Sequence, residues 1–203
     1  MEYTKLIRTT DEFPIYDGSL IHSRFAYKLL RDEVSPIGNI IAFRAPMKVE
    51  GAGMIDLEDV LENDYIYSKD AINFCWEIPH LDPFGAVAFQ RLLNTQIASV
   101  LFSIIQAPIE VSGDDIFIVE SFTDDEGGKQ ERGKCSVSIT YSKDNVALGH
   151  TGINVYAGTK APKFAYSTRM SDDQCQHFMK GVIDVFTKLV KSIHIATTKI
   201  IIA

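Results

Sequence analysis

Ser112-Gly113-Asp114-Asp115, then Gly133-Lys134-Cys135-Ser136-Val137-Ser138, then Gly149-His150-Thr151-Gly152-Ile153-Asn154-Val155 set single polar groups inside strand-like apolar runs. Ile116 to Val119, Val137 to Thr140 and Val146 to Val155 have the β-branched and aromatic content of strands, separated by Gly and Asp turn signals. Three adjacent antiparallel strands are the economical arrangement. Lys134 then stands at the start of the middle one, where its ammonium is directed along a half-buried face toward a ligand. Alternation puts Cys135 on the opposite face from Lys134.

Upstream, Asn39 to Val49 reads as a strand interrupted by Arg44 and ending, or lying at an edge, at Pro46, which has no N–H for a ladder. Arg44 is a permanent cation after four apolar residues, so it is either paired with a carboxylate or reserved for an anionic ligand. Tyr65 to Tyr67 and Ile72 to Pro79 read as a hairpin across Ser68-Lys69-Asp70. In the second arm Ile72, Phe74, Trp76 and Ile78 share one face, while Asn73, Cys75 and Glu77 share the other. That second face either lines a pocket or is the exposed side of a sheet.

Helices interleave with these strands. Asp17-Gly18-Ser19 opens one that carries Leu20, Phe25, Ala26, Leu29 and Leu30 and stops before Pro36; Asp17 and Ser19 act either as caps or as a ligand-contacting turn. Asp82-Pro83 starts the longest, whose apolar stripe from Phe89 to Ile105 must lie on the sheet and which ends by Ala107-Pro108. Ser171-Asp172-Asp173-Gln174 is a capping box for a core-packing helix running from Cys175 to Ile193. Between Met54 and Asp64 the chain crowds its carboxylates. Asp56 either caps a short helix with an acidic first turn or joins Asp59 or Asp64 in holding Mg²⁺. Asp124 to Arg132 is a lid or a hairpin tip, and Ile200-Ile201-Ile202 is a sticky tail that needs a sheet edge or a partner subunit.

Tight turns between the central strands point to an α+β fold with a mixed, mainly antiparallel sheet backed by helices, and 203 residues without repeats or linkers fit a single domain over 1–203. A net charge of -7, from 20 basic and 27 acidic side chains, repels phosphate backbones, so no nucleic-acid partner is expected. No run reaches the ~18 apolar residues of a membrane span. The 3 cysteines are widely spaced in apolar surroundings, as reduced thiols of a cytoplasmic protein are.

Tyr16-Asp17-Gly18-Ser19, Ala42-Phe43-Arg44, Met54 to Val60, Asn73-Phe74 through Glu77, Gln90 to Leu93, Gly113 to Asp115 and Lys134 to Ser138 together resemble an archaeal and bacterial family catalogued as domain of unknown function 366. More distantly, Asp114-Asp115, Gly133-Lys134 and Gly149 to Val155 are similar to the catalytic domain of biotin and lipoate protein ligases and octanoyl transferases. Those proteins carry an Asn-Asp turn, a lysine-bearing strand and a closing Gly-x-x-x-Asn-Val strand. The resemblance implies a ligase-like fold in which Lys134 neutralises an acyl carbonyl or adenylate. It also implies an acyl- or carboxylate-handling transferase or ligase, with Asp115 orienting the ligand or a metal and Arg44 clamping an anion. Asp17, Ser19, Glu77, Ser136 and Asn154 join them around the ligand. No cofactor follows from the residues; ATP with Mg²⁺, held at Asp56 and Asp59, is the one the resemblance suggests. The ligases' Arg- and Gly-rich adenylate loop corresponds here to acidic Met54 to Ser68. A non-catalytic pocket for a small carboxylate or nucleotide, and a structural homodimer, are the alternative readings.

Overall fold

The computed structural model describes residues 5–8, 13–124 and 127–199. In chain order its elements are β1 (Lys5–Arg8), α1 (Phe25–Leu30), β2 (Asn39–Val49), α2 (Leu57–Glu62), β3 (Ile66–Pro79), α3 (Pro83–Ile105), β4 (Ile109–Ser112), β5 (Asp115–Ile118), β6 (Phe122–Thr123), β7 (Lys129–Gln130), β8 (Gly133–Lys134), β9 (Ser136–Lys143), β10 (Val146–Tyr156) and α4 (Asp172–Thr197). The main sheet has the order β1-β2-β3-β10-β9 and is antiparallel except where β1 runs parallel to β2. A second sheet, β4-β5-β8, and the β6–β7 hairpin complete the strands among the described residues.

Alternation along β3 assigns each side chain to a face. Ile72, Phe74, Trp76 and Ile78 pack with Ile40 and Ala42 of β2 beneath α3 and α4, whereas Ala71 and Cys75 pack with Ile41, Phe43 and Ala45 beneath the N-terminal segment that includes Phe25. The helix side is the larger core. Trp76 meets Phe89 edge-on at 5.2 Å and Phe89 meets Phe186 at 5.9 Å, so aromatic rings bridge the sheet and both long helices. Each fully buried large side chain there contributes about 1.5–3 kcal/mol.

Caps set where the helices begin. Asp82 accepts from the Gly85 N–H at 2.7 Å with Pro83 in the first turn, and Ser171 and Gln174 form the expected reciprocal box. α3 is tied to the sheet by buried polar groups as well. Ser138 Oγ accepts from Gln90 Nε2 at 2.9 Å and Asn94 Nδ2 at 3.0 Å, and Thr151 Oγ1 donates to Asn94 Oδ1 at 2.9 Å.

Four expectations are corrected. Tyr65 to Pro79 is not a hairpin but a single strand from Ile66 onward: Ser68 Oγ donates to Asp70 O at 3.1 Å and Asp70 receives Arg44, so polar residues stay in the ladder. Pro46 does not end β2, because the register shifts between Ala45 and Met47 and the Pro46 carbonyl accepts from Tyr16 N at 2.8 Å. Asp17 to Ser19 opens no helix; α1 starts only at Phe25, after Arg24 in the left-handed region. The three central strands are not one ladder either, since β9 and β10 pair in the main sheet while β5 belongs to the second. Asp124 to Arg132 falls on the β6–β7 hairpin, apart from residues 125–126. The Ile200 to Ile202 tail lies outside the described residues.

Candidate functional site

On the face of the main sheet away from α3 and α4, the N-terminal segment covers only part of the strands. The remaining part floors a cavity of about 280 Å³, at the small end of ligand pockets. β10 supplies His150 and Asn154 to it, and β9 supplies Val137 and Ile139. Tyr16, Ile21 and Val49 form one side, Met54 to Asp59 with Asp64 to Tyr67 form the roof, and Asp115, Lys134, Phe164 and Ala165 form the far wall.

Lys134 reaches this wall because its backbone is held on two sides. Its N–H donates to Phe164 O and its carbonyl accepts from Tyr166 N, each at 2.8 Å, while β8 pairs it with Phe117 of β5. Its Nζ lies 2.7 Å from Asp115 Oδ1, with both side chains about 29% exposed. An ammonium has three donors, so this pair leaves capacity for a ligand oxygen. Cys135 next to it faces the opposite way, fully buried, and its thiol donates to Ile116 O at 3.3 Å. Burial pushes that thiol up to about 12, which makes it a core residue rather than a nucleophile.

The floor holds a polar constellation. His150 is buried, its Nε2 donates to Asn73 Oδ1 at 2.9 Å, and Asn73 Nδ2 donates to Ala45 O at 3.1 Å. Burial lowers the imidazole's proton affinity to about pKa 3, so it is neutral at ordinary pH. Asn154, 3% exposed, has a buried Oδ1 with no hydrogen-bond partner. Its backbone cannot shift to relieve this, since its N–H donates to Cys135 O at 2.8 Å and its carbonyl accepts from Thr168 Oγ1 at 2.7 Å. A buried acceptor left without a donor costs about 1–3 kcal/mol, so this oxygen calls for a donor from a water or a ligand in the cavity.

The roof is acidic. α2 has Asp56 as its cap, accepting from Glu58 N at 2.9 Å, and none of its residues is buried. Asp56, Glu58, Asp59, Asp64, Asp114 and Asp115 line the cavity, against which Lys134 is the sole lysine or arginine of the lining among the described residues. The Asp59 carboxyl is raised by desolvation first and by Asp56 and Asp64 next, with Lys134 pulling the other way.

Of the residues singled out from sequence, Lys134, Asp115, Ser136, Asn154, Asp56 and Asp59 are brought together here. Ser136 has its hydroxyl turned to the helix side, where it accepts from Ile116 N at 2.8 Å and joins the two sheets. Arg44 is not at the site. It shares the helix face with Ile40 and Ala42, and its guanidinium bonds Asp70 at 2.6 Å and Asp172 at 2.6 Å, which holds its proton still more firmly. Glu77 is buried under α1, 3.4 Å from Ala26 N and 3.9 Å from Arg24. Asp17 accepts from Ser19 N at 2.9 Å and Ser19 Oγ at 2.5 Å, bonds that lower its carboxyl pKa; only Gly18 between them borders the cavity. Among the described residues no three His, Cys, Asp or Glu side chains are placed to hold a metal ion. Asp64, read as a possible Mg²⁺ ligand, also borders the cavity, whereas Tyr16 and His150 were not singled out for the site; the period of two that puts residues 150, 152 and 154 on one face was the signal for His150.

The fold, a five-stranded main sheet backed by two long helices, is similar to that of solved biotin and lipoate protein ligases. A bi-partite lipoate protein ligase from Thermoplasma acidophilum matches with a TM-score of 0.54 and 12% identity over 92% of this chain and 84% of that one. A biotin protein ligase from Aquifex aeolicus in complex with biotin and ATP matches with a TM-score of 0.53 and 13% identity over 92% and 72%. The chain belongs to the family described as Domain of unknown function (DUF366), whose model matches residues 5–201. A protein of unknown function from Pyrococcus horikoshi is similar over 98% of this chain and 100% of its own, with a TM-score of 0.76 and 22% identity. None of the curated proteins matches. No helix among the described residues is long and apolar enough to cross a membrane.

Proposed function

We propose that this chain handles the acyl or carboxylate group of a small molecule, as a transferase in preference to an adenylating ligase. The observation that carries the reading is Lys134, a cation on the wall of a cavity that is also lined by Asn154, whose buried amide oxygen lacks a donor among the described residues. Anchored on Asp115, its ammonium is oriented before the ligand arrives and meets the negative charge that develops on an acyl oxygen during transfer. Transfer would then run directly between two bound groups, since Cys135 is buried away from the cavity.

ATP does not fit this lining. Its phosphates would face carboxylates with one lysine to offset them, and the described residues offer no three-ligand metal group to hold Mg²⁺. A second reading, a binding module without turnover, is favoured by the same lack of a nucleophile on the wall.

Thermal shift against octanoate, lipoate, biotin and ATP, each with and without Mg²⁺, tests both. Carboxylate ligands should raise the melting temperature of the wild type and not of Lys134→Ala. An acyl thioester of the ligand that binds, mixed with enzyme and a primary amine as acceptor, should pass its acyl carbon from sulfur to the amine nitrogen and release the thiol, which takes up the proton the amine loses. Binding without thiol release supports the module. No carboxylate shifting the wild type would sink the proposal.

A further inference from the structure

Resting on that reading of Lys134, we propose that the ligand carries a protonated amine in addition to its carboxyl or acyl group, the carboxyl meeting Lys134 and the ammonium meeting Asp59 under α2. The two ends of the cavity have opposite needs. At the wall stands a cation; at the roof stands a row of carboxylates that no cation of the lining besides Lys134 offsets.

Several of these carboxylates already have partners. Asp56 caps α2, Asp64 Oδ1 accepts from Tyr65 N at 2.8 Å, and Asp115 holds Lys134. The Asp59 carboxylate makes no hydrogen bond or ion pair with a described residue, although its backbone carbonyl accepts from Asp64 N at 2.9 Å, and it lies close enough to Asp56 and Asp64 for their charges to disfavour its own. A ligand ammonium would relieve that repulsion.

Asn154 points to a donor independently. A carboxylate or phosphate cannot donate to its buried Oδ1, whereas an ammonium or amide N–H can. A divalent cation fits less well, for want of three converging ligands among the described residues. Between the two polar ends the lining is apolar, with Ile21, Val49, Met54 and Ile139, which suits a methylene spacer.

The test is calorimetric titration of the full chain with 4-aminobutyrate, 6-aminohexanoate and 8-aminooctanoate, with butyrate, hexanoate and octanoate as controls lacking the amine, and with MgCl₂ alone. One amino acid of the series should bind about tenfold tighter than its matching fatty acid, the worth of one charge-assisted hydrogen bond. Asp59→Asn, on a helix with no buried residue, should weaken the amino acid about tenfold and leave the fatty acid bound at least as tightly as before, since one repelling carboxylate is gone; circular dichroism would verify its fold. Fatty acids that bind through Lys134 as tightly as their amino counterparts overturn this inference and leave the carboxylate reading standing. Tight Mg²⁺ binding that Asp59→Asn abolishes overturns it in favour of a metal. No binding by any carboxylate overturns both.

Discussion

The ring of Tyr16 lies stacked on the imidazole of His150, with centroids 3.7 Å apart and planes inclined by 12°. The stack seals one end of the cavity floor and keeps the imidazole out of water, which is why it stays neutral. The linkage to stability has a definite sign. A histidine whose native pKa is lowered to about 3 from an ordinary 6.5 takes up protons only in the unfolded chain across that interval, so its contribution is complete above pH 6.5 and is lost as pH falls toward 3. Between pH 7 and pH 5 the loss is about 2 kcal/mol. Urea midpoints at the two values should show it in the wild type, and a drop smaller by that amount in His150→Gln. Equal drops in both proteins would mean that His150 is not the group responsible.

Arg44 fastens β2 to β3 and to the first turn of α4, and has no part in the cavity. Arg44→Met should cost about 1.5–3 kcal/mol of stability, the range for hydrogen bonds to charged groups, by stranding Asp70. Carboxylate affinity measured by titration should be unchanged. A variant of normal stability that fails to bind would return Arg44 to the site.

Ser138 is the node between α3 and the sheet, receiving Gln90 and Asn94 and standing 3.1 Å from Thr151 Oγ1. Ser138→Ala removes one of the two acceptors of each amide, leaving Asn94 Nδ2 with Asp114 O at 2.7 Å and Gln90 Nε2 with Asp114 Oδ2 at 3.5 Å, and should lower stability by about 1–3 kcal/mol. Ser142→Ala, at a partly exposed position of the same strand where the hydroxyl donates to Leu81 O at 2.6 Å, should cost less. Chemical denaturation of both variants makes the comparison.

Cys75, Cys135 and Cys175 are all buried, and desolvation raises all three thiols. Ellman's reagent should find no fast-reacting thiol in the native protein and all 3 in urea. Cys135→Ala should retain whatever transfer the wild type performs. Its loss in a folded variant would restore a thiol mechanism.

Much of this organisation was legible because strong local signals agreed with the fold. The Asp82-Pro83 start of α3 and the Ser171/Gln174 box of α4 are closed by neighbouring atoms, so the sequence contains the whole cause. Lys134, Asp115 and Asn154 stood out as polar groups in apolar strands, and all three border the same cavity. What stayed hidden depended on distant partners. Ser68-Lys69-Asp70 looks like a turn until Arg44 arrives from β2 to hold Asp70 in the ladder, and Cys135 alone separates β8 from β9, which sends the neighbouring strands to different sheets. The acidic roof was visible as a run, but its position over Lys134 is a tertiary fact.

Gly53 and Gly18 touch backbone to backbone: a Cβ on Gly18 would lie 2.6 Å from the Gly53 carbonyl oxygen, so neither position has room for a side chain. This pins the front end of α2, while Tyr65, whose hydroxyl donates to Lys160 O at 2.7 Å, pins the rear. Between the two anchors no residue of the helix is buried. The helix is therefore held like a bucket handle, by its two fastenings and not by side chains buried along its own length.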